Sequence, residues 1–277
     1  MTNSNLRVAF QGERGAYSEA AAVTFFGDTI EVLPCNDFDA VFEAVSHGQA
    51  ERGVLPVENS LAGSIHRNYD LLLRFELAIV GEVQLPIAHQ LIALPGVSLA
   101  DIKKVYSHPQ ALAQCEHSIT RILPQVERVT TYDTAGSVKM IKEQHLTDGA
   151  GLASERAASI YEMNILRPDM QDDAENYTRF VVVAPEPVAP VGEAKTSIVF
   201  SMDNVPGSLF KSLAVFALRD IDLTKIESRP LQGKRWQYLF YIDFIGSQDE
   251  ERCRNALNHL QEITSFFKLL GSYPRGV

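Results

Sequence analysis

Cysteine is scarce. Cys35, Cys115 and Cys253 are the only three in 277 residues. They are odd in number and far apart, and no CxxC pair occurs, which argues against a disulfide framework or a zinc knuckle. Each sits among apolar neighbours and reads as a small buried hydrophobe in a reducing compartment. Positive charge is also short. Lys and Arg number 25 against 35 Asp and Glu, a formal net charge of −10. That balance argues against a nucleic-acid coat or an anionic membrane surface as the main partner, while allowing a local pocket for a small anion. No apolar run approaches the roughly 20 residues that span a bilayer. The opening "MTNSNLRVAF" has no basic region followed by an apolar one. These absences set the expectation of a cytoplasmic chain with neither membrane nor nucleic acid as partner.

Hydrophobic content of 45% over 277 residues allows a substantial core and two domains. From residue 6 onward, short apolar runs alternate with helical patterns. "LRVAF", "TIEVLP" and "RGVLPVENS" read as strands. The helix after the first is expected to share one face among Tyr17, Ala20, Ala21, Thr24 and Phe25. A second set starts near residue 85 with "IAHQLIAL", "KKVYSHPQ", "VERVTTY" and "GAGLAS", and "TRFVVV" closes it. Leu112, Cys115, Ile119 and Ile122 place one helical face in this set. Strand–helix alternation predicts two α/β lobes with largely parallel sheets, the last strand returning to the first lobe. "APEPVAPVGEA" (184–194) reads as a linker. The remainder reads βαββαβ, a ferredoxin-like unit.

Four segments concentrate polar groups at strand ends. "GERGAYSEAA" brackets a turn with Gly12 and Gly15; it is neither GxGxxG nor a P-loop, so it offers backbone N–H groups or merely a tight turn. "PVENSLAGSI" sets Glu58, Asn59 and Ser60 past an apolar strand, as ligand groups or as helix caps. In "SHPQALAQCE", Ser107 is the expected cap, leaving His108 and Gln110 to face a cleft; no second His stands at metal spacing. "NYTRF" brings a hydroxyl, Thr178, and a guanidinium fork, Arg179. The last three together suggest a small anionic ligand between the lobes. In the last unit, "NVPGSL" and "IESRP" offer anion- and ammonium-accepting groups suited to an amino acid.

In this order the motifs resemble those of prephenate dehydratase. "NVPGSLFKSLAVFA" and "IESRP" look like the phenylalanine-binding motifs of its C-terminal ACT domain. "ENSLAGSIHRNYDLLLR" and "TKIESRPL" are also similar to plant-type arogenate dehydratases. The resemblance implies a two-lobed catalytic domain shaped like a type II periplasmic binding protein over residues 1–184, with lobes of about 1–84 plus 176–184 and 85–175. A linker at 185–194 and a ferredoxin-like ACT domain at 195–277 would follow. It implies conversion of prephenate to phenylpyruvate with no cofactor and no metal, L-phenylalanine as allosteric effector, and a homodimer or homotetramer. The implied catalytic set is Thr178, assisting departure of the ring hydroxyl, with Arg179, Phe180, Glu58, Asn59, Ser60 and Gln110. Glu58 is the candidate proton source behind Thr178. The implied effector set is Asn204, Val205, Pro206, Gly207, Ser208 and Leu209 with Glu227, Ser228, Arg229 and Pro230. Arogenate dehydration and a non-catalytic aromatic amino-acid sensor are the rival readings.

Overall fold

A computed structural model describes residues 5–231, 233 and 236–276. The first lobe is built from β1 (Arg7–Gln11), α1 (Tyr17–Phe26), β2 (Glu31–Cys35), α2 (Phe38–Ser46), β3 (Arg52–Asn59), β4 (Gly63–Ser64), α3 (His66–Arg74) and β5 (Ala78–Pro86). The second contains β6 (Gln90–Ala93), β7 (Lys104–Ser107), α4 (Pro109–Gln114), α5 (Glu116–Ile122), β8 (Glu127–Thr130), α6 (Thr134–Gln144), β9 (Gly149–Ala153), α7 (Glu155–Ile160) and β10 (Asn164–Arg167). β11 (Tyr177–Ala184) then returns to the first sheet, whose order is β2-β1-β3-β11-β5 with β4 on β3. The second sheet runs β10-β6-β9-β7-β8.

The expected parallel pairing holds for β1 with β2 and β3, and for β7 with β8 and β9. β6 is antiparallel to both β9 and β10, so the second sheet is mixed. "MNILRP", left without a strand by the sequence pattern, supplies β10. The expected single helix over residues 109–122 breaks at Cys115, which ends α4 and opens α5. Cys115 and Cys253 are buried and Cys35 half-buried, all as free thiols.

The face of α1 differs from its apolar pattern. Ser18, Glu19, Ala21 and Ala22 are buried, whereas Thr24 and Phe25 are exposed. The reason is Glu19, which is fully buried and fully partnered. It accepts from Gly15 N at 2.6 Å and pairs with Arg14 at 3.2 Å and Arg156 at 2.9 Å. A buried carboxylate is tolerated only when paired and hydrogen-bonded, and here the pairing overrides the helical pattern. Arg156 belongs to α7, and Ser154 Oγ donates to Gly15 O at 2.6 Å. The "GERG" turn therefore ties the start of α1 to the second lobe. Phe10 and Ala16 pack in one cluster with Val138, Ile141 and Ala157.

The last sheet has order β13-β14-β12-β15, from β12 (Ala194–Ser201), β13 (Leu223–Pro230), β14 (Tyr238–Ile245) and β15 (Phe266–Pro274). α8 (Ser208–Ala217) and α9 (Glu251–Ile263) cover one face of it, burying Val215, Phe216, Ala256 and Leu260 against Ile198 and Ile242. This is the expected βαββαβ unit. The expected start of its third strand, Arg235, lies outside the described residues.

The chain divides into two compact units. One holds the residues through Asn68 with Val83–Phe180; the other holds Tyr69–Glu82 with the residues from Val181. Within the second unit, Tyr241 donates to Tyr69 O at 3.1 Å and Lys268 to Phe75 O at 2.8 Å. Lys195 meets Glu82 at 2.7 Å, both buried, and Arg229 meets Asp70 at 2.9 Å. The end of α3 and the start of β5 are therefore built into the same body as the four-stranded sheet.

Candidate active site

β11 carries "YTRFVVVA" with alternate residues on opposite faces. Thr178 and Phe180 fall on one face and line a cavity of about 170 Å³. Arg179 falls on the other, where its guanidinium reaches Glu58 at 4.0 Å. Period two in β3 does the same for its end: Asn59 lines the cavity, and Glu58 turns toward Arg179. The expected anchoring fork and the expected proton source thus pair with each other and line neither this cavity nor the wider one beside it. Ser60 is likewise a stitch. Its Oγ donates to Glu175 O at 2.7 Å and accepts from Tyr177 N at 2.9 Å, joining the two strand ends.

Asn59 is the organiser of this wall. It is 5% exposed, and its Nδ2 donates to Thr178 Oγ1 at 3.0 Å and to Asn176 Oδ1 at 2.7 Å. Its Oδ1 accepts from Leu61 N at 3.1 Å and Ala62 N at 2.9 Å. Those bonds fix the amide so that it can only donate to Thr178. The Thr178 hydroxyl, 7% exposed, accepts that bond and keeps its own hydrogen for a group in the cavity.

The opposite wall comes from the second lobe. Gln110 and His108 stand at the start of α4, and Asp133 and Thr134 at the start of α6. His108, not Ser107, caps α4, its Nδ1 accepting from Gln110 N at 3.3 Å. Ser107 is buried and donates to Leu152 O at 2.6 Å, because β9 lies beside β7. A wider cavity of about 410 Å³ shares Gln11, Pro56, Ile65, His108, Gln110, Asp133 and Thr134 with the first. Ala16, Tyr17 and Ser18 line the smaller one, and Ala16 brings no side-chain cap to α1. The free N–H groups of a helix start so placed favour an anion.

His89 closes the floor. Its Nε2 lies 3.0 Å from Gln114 Oε1 and its Nδ1 3.0 Å from Tyr17 Oη. Burial holds its pKa below the ordinary 6.5, against a smaller opposing effect of the Gln114 bond. The unfolded chain therefore binds the proton more readily than the folded one, and stability is lost as pH falls below about 6.5. The loss is at most about 1.4 kcal/mol per pH unit. Urea midpoints at pH 7.0 and 5.5 should show that slope, and His89→Gln should flatten it. An unchanged slope in the variant would contradict the assignment.

Among the described residues, no group of three His, Cys, Asp or Glu side chains is placed to hold a metal ion, and no helix is long and apolar enough to cross a membrane.

In the second unit, Asn204, Val205, Gly207, Ser208 and Leu209 line a cavity of about 430 Å³ with Tyr238 and Phe240. Pro206 sits in the turn beside it. Glu227, Ser228, Arg229 and Pro230 lie on β13, at one end of the sheet, and do not line this cavity.

A model of the family described as prephenate dehydratase matches residues 8–188. The chain belongs to the prephenate dehydratase family. It is 53% identical, over 98% of its length and 73% of the relative's, to arogenate dehydratase/prephenate dehydratase 2, chloroplastic, of Arabidopsis thaliana. Arogenate dehydratase 2 of Petunia hybrida is also 53% identical, over 98% and 72%. Among solved structures, prephenate dehydratase of Arthrobacter aurescens in complex with L-Phe shares 33% identity and a TM-score of 0.89, covering 98% of this chain and 90% of its own. GqqA, described as a novel type of quorum quenching acylase, shares 33% identity and a TM-score of 0.88, covering 97% of both chains.

Among the lining residues, the sequence pattern offers Thr178, Phe180 and Asn59 on one wall and His108 and Gln110 on the other. Gln11, His89 and Gln114 carry no such signal, Tyr17 reads only as a helical position, and Asp133 or Thr134 reads only as a helix start. The one available signal was position, since several of these open a helix directly after a strand.

Proposed function

We propose that the cleft catalyses the decarboxylating dehydration of prephenate to phenylpyruvate, or of its amino-acid counterpart arogenate to L-phenylalanine. The observation that carries this reading is Thr178 Oγ1 held at 3.0 Å by Asn59 Nδ2 in the wall of a polar cavity. In the reaction the ring carboxylate leaves as CO₂, and its bonding pair becomes a ring double bond. The ring C–O bond breaks, and the departing oxygen takes one proton and leaves as water. Aromatisation drives these steps, so positioning and a local hydrogen-bond donor suffice, with neither metal nor organic cofactor. Thr178 donates to the departing oxygen. A threonine hydroxyl is too weak an acid to act alone, so solvent restores its proton. The start of α1, near Ser18, receives a carboxylate of the substrate.

Acyl transfer fits this wall less well. A nucleophilic hydroxyl needs an adjacent base. Thr178 accepts from an amide, while His89 lies against Gln114 and Tyr17. A non-catalytic sensor would have no need of a hydroxyl held with its hydrogen free.

Residues 1–184 form the catalytic part in this proposal and residues 195–277 the regulatory part. L-Phenylalanine binds at Asn204–Leu209, and Glu227–Pro230 completes the site from a second copy in a homodimer or homotetramer. The relatives' L-Phe complex and the cavity of about 430 Å³ support this. Free thiols fit a reducing, cytoplasmic setting.

The test is incubation of pure protein with prephenate, following phenylpyruvate by its ultraviolet absorbance in alkali. Product should appear and L-phenylalanine should suppress it. Asn204→Ala should raise the suppressing concentration at least tenfold without changing the uninhibited rate. The chain is kept whole, because cutting near Pro190 would remove the partners of Tyr69–Glu82. Suppression unchanged in Asn204→Ala would sink the effector assignment.

A further inference from the structure

We infer that Asp133 receives the ammonium group of an amino-acid substrate and is the residue by which this cleft prefers arogenate to prephenate. The inference rests on the dehydratase reading above and names its substrate class.

Asp133 is the residue before α6, and its Oδ1 accepts from Gly136 N at 2.8 Å. Capping occupies that oxygen. The second, Oδ2, lies 2.6 Å from the point a Cβ at position 12 would occupy, with Gly12 at a φ of +111°. Only glycine at position 12 leaves the carboxylate that space. Asp133 is 7% exposed and lines both cavities of the cleft. Asp37 also lines the wider one, but it is an exposed helix cap. No Lys or Arg is among the described residues lining either cavity. Arg179, the expected cation, lies on the other face of its strand beside Glu58.

The charge balance then favours one substrate. Prephenate brings two carboxylates and no cation to a wall whose buried fixed charge is negative. Arogenate brings the same two carboxylates and its own ammonium. The start of α1 accommodates an anion without a cation, which leaves Asp133 to meet the ammonium. Burial pushes the Asp133 carboxyl up from the ordinary range and Glu13 adds to this, while the N–H groups of Gly136 and Ala135 and the nearby His108 oppose it. A cation at Oδ2 offsets the cost of keeping that buried group ionised.

The test compares kcat/KM for arogenate and prephenate in wild-type protein, Asp133→Asn and Asp133→Ser. Both replacements cap helices well, so α6 keeps its start and only the charge is lost. The wild-type protein should favour arogenate. In both variants the arogenate-to-prephenate ratio should fall at least tenfold, chiefly through a higher KM for arogenate. A ratio that holds while both activities fall together makes Asp133 a cap only and leaves the dehydratase reading standing. Wild-type preference for prephenate overturns the inference in the same way. If wild-type protein consumes neither substrate, the dehydratase reading falls and this inference with it.

Discussion

Thr178→Ala should lower kcat by about 10²–10⁴-fold, the range for loss of a positioned proton-handling group. KM should change little, because the hydroxyl meets the departing oxygen most strongly in the transition state. The fold should survive. Asn59 Nδ2 keeps Asn176 Oδ1 at 2.7 Å and Tyr177 O at 3.1 Å when the hydroxyl is gone. The stability cost is therefore about 1 kcal/mol. Thr178→Ser retains the hydroxyl and should stay within about tenfold of wild type, since only the methyl packing that fixes χ1 is lost. Steady-state kinetics with thermal melts separates these outcomes. Near-normal turnover in Thr178→Ala would remove Thr178 from the chemistry.

Gly15→Ala should be the most damaging single methyl in the catalytic unit. A Cβ there would stand 2.6 Å from Ala157 Cα and 2.9 Å from Ala157 Cβ, at a φ of +88°. Two costs add: about 1–2 kcal/mol for a left-handed non-glycine residue and about 1–3 kcal/mol for overpacking. A total near 3 kcal/mol lowers Tm by roughly 6–12 °C in a unit of this size. Activity should fall as well, because Ala16, Tyr17 and Ser18 of the same turn line the cavity. Displacing such a wall by about 1 Å costs on the order of 10²-fold in rate. Gly27→Ala is the control. Its φ is +83°, but nothing lies within 4 Å of the added methyl, so only the backbone cost remains. Equal melting points for the two variants would show that the contact with α7 does not hold the turn.

Much of the fold was legible because strands and helices here follow their periods. The alternation of "LRVAF", "TIEVLP" and "RGVLP" with helical segments predicts the first sheet, and the return of "TRFVVV" to it is observed. Departures come from side-chain chemistry acting over long distance. Glu19 is buried because Arg156, far along the chain, comes to meet it. Cys115 splits a helix whose face is continuous by spacing alone. β10 escapes notice because its pairing partner, β6, must be known first.

The site was legible in part for the same reason. "NYTRF" and "ENS" stand at the ends of β11 and β3 that border the cavity, but adjacent residues on a strand point to opposite sides. Thr178 and Asn59 share the cavity face; Arg179 and Glu58 share the other. A sequence shows the neighbours without showing which face the cleft takes. Asp133 and Thr134 carry the ordinary signature of a helix start, and only the fold of the two lobes places that start beside Gln11 and Gln110.

In the proposed reaction, Thr178 and Asn59 support loss of CO₂ and water from one substrate in one cleft. It is tested most directly by quantifying CO₂ and aromatic product together, with prephenate and with arogenate supplied separately. Wild-type protein should release one CO₂ per phenylpyruvate or L-phenylalanine formed, and Thr178→Ala should lower both by about 10²-fold or more. Neither product rising above the uncatalysed blank with either substrate would contradict it.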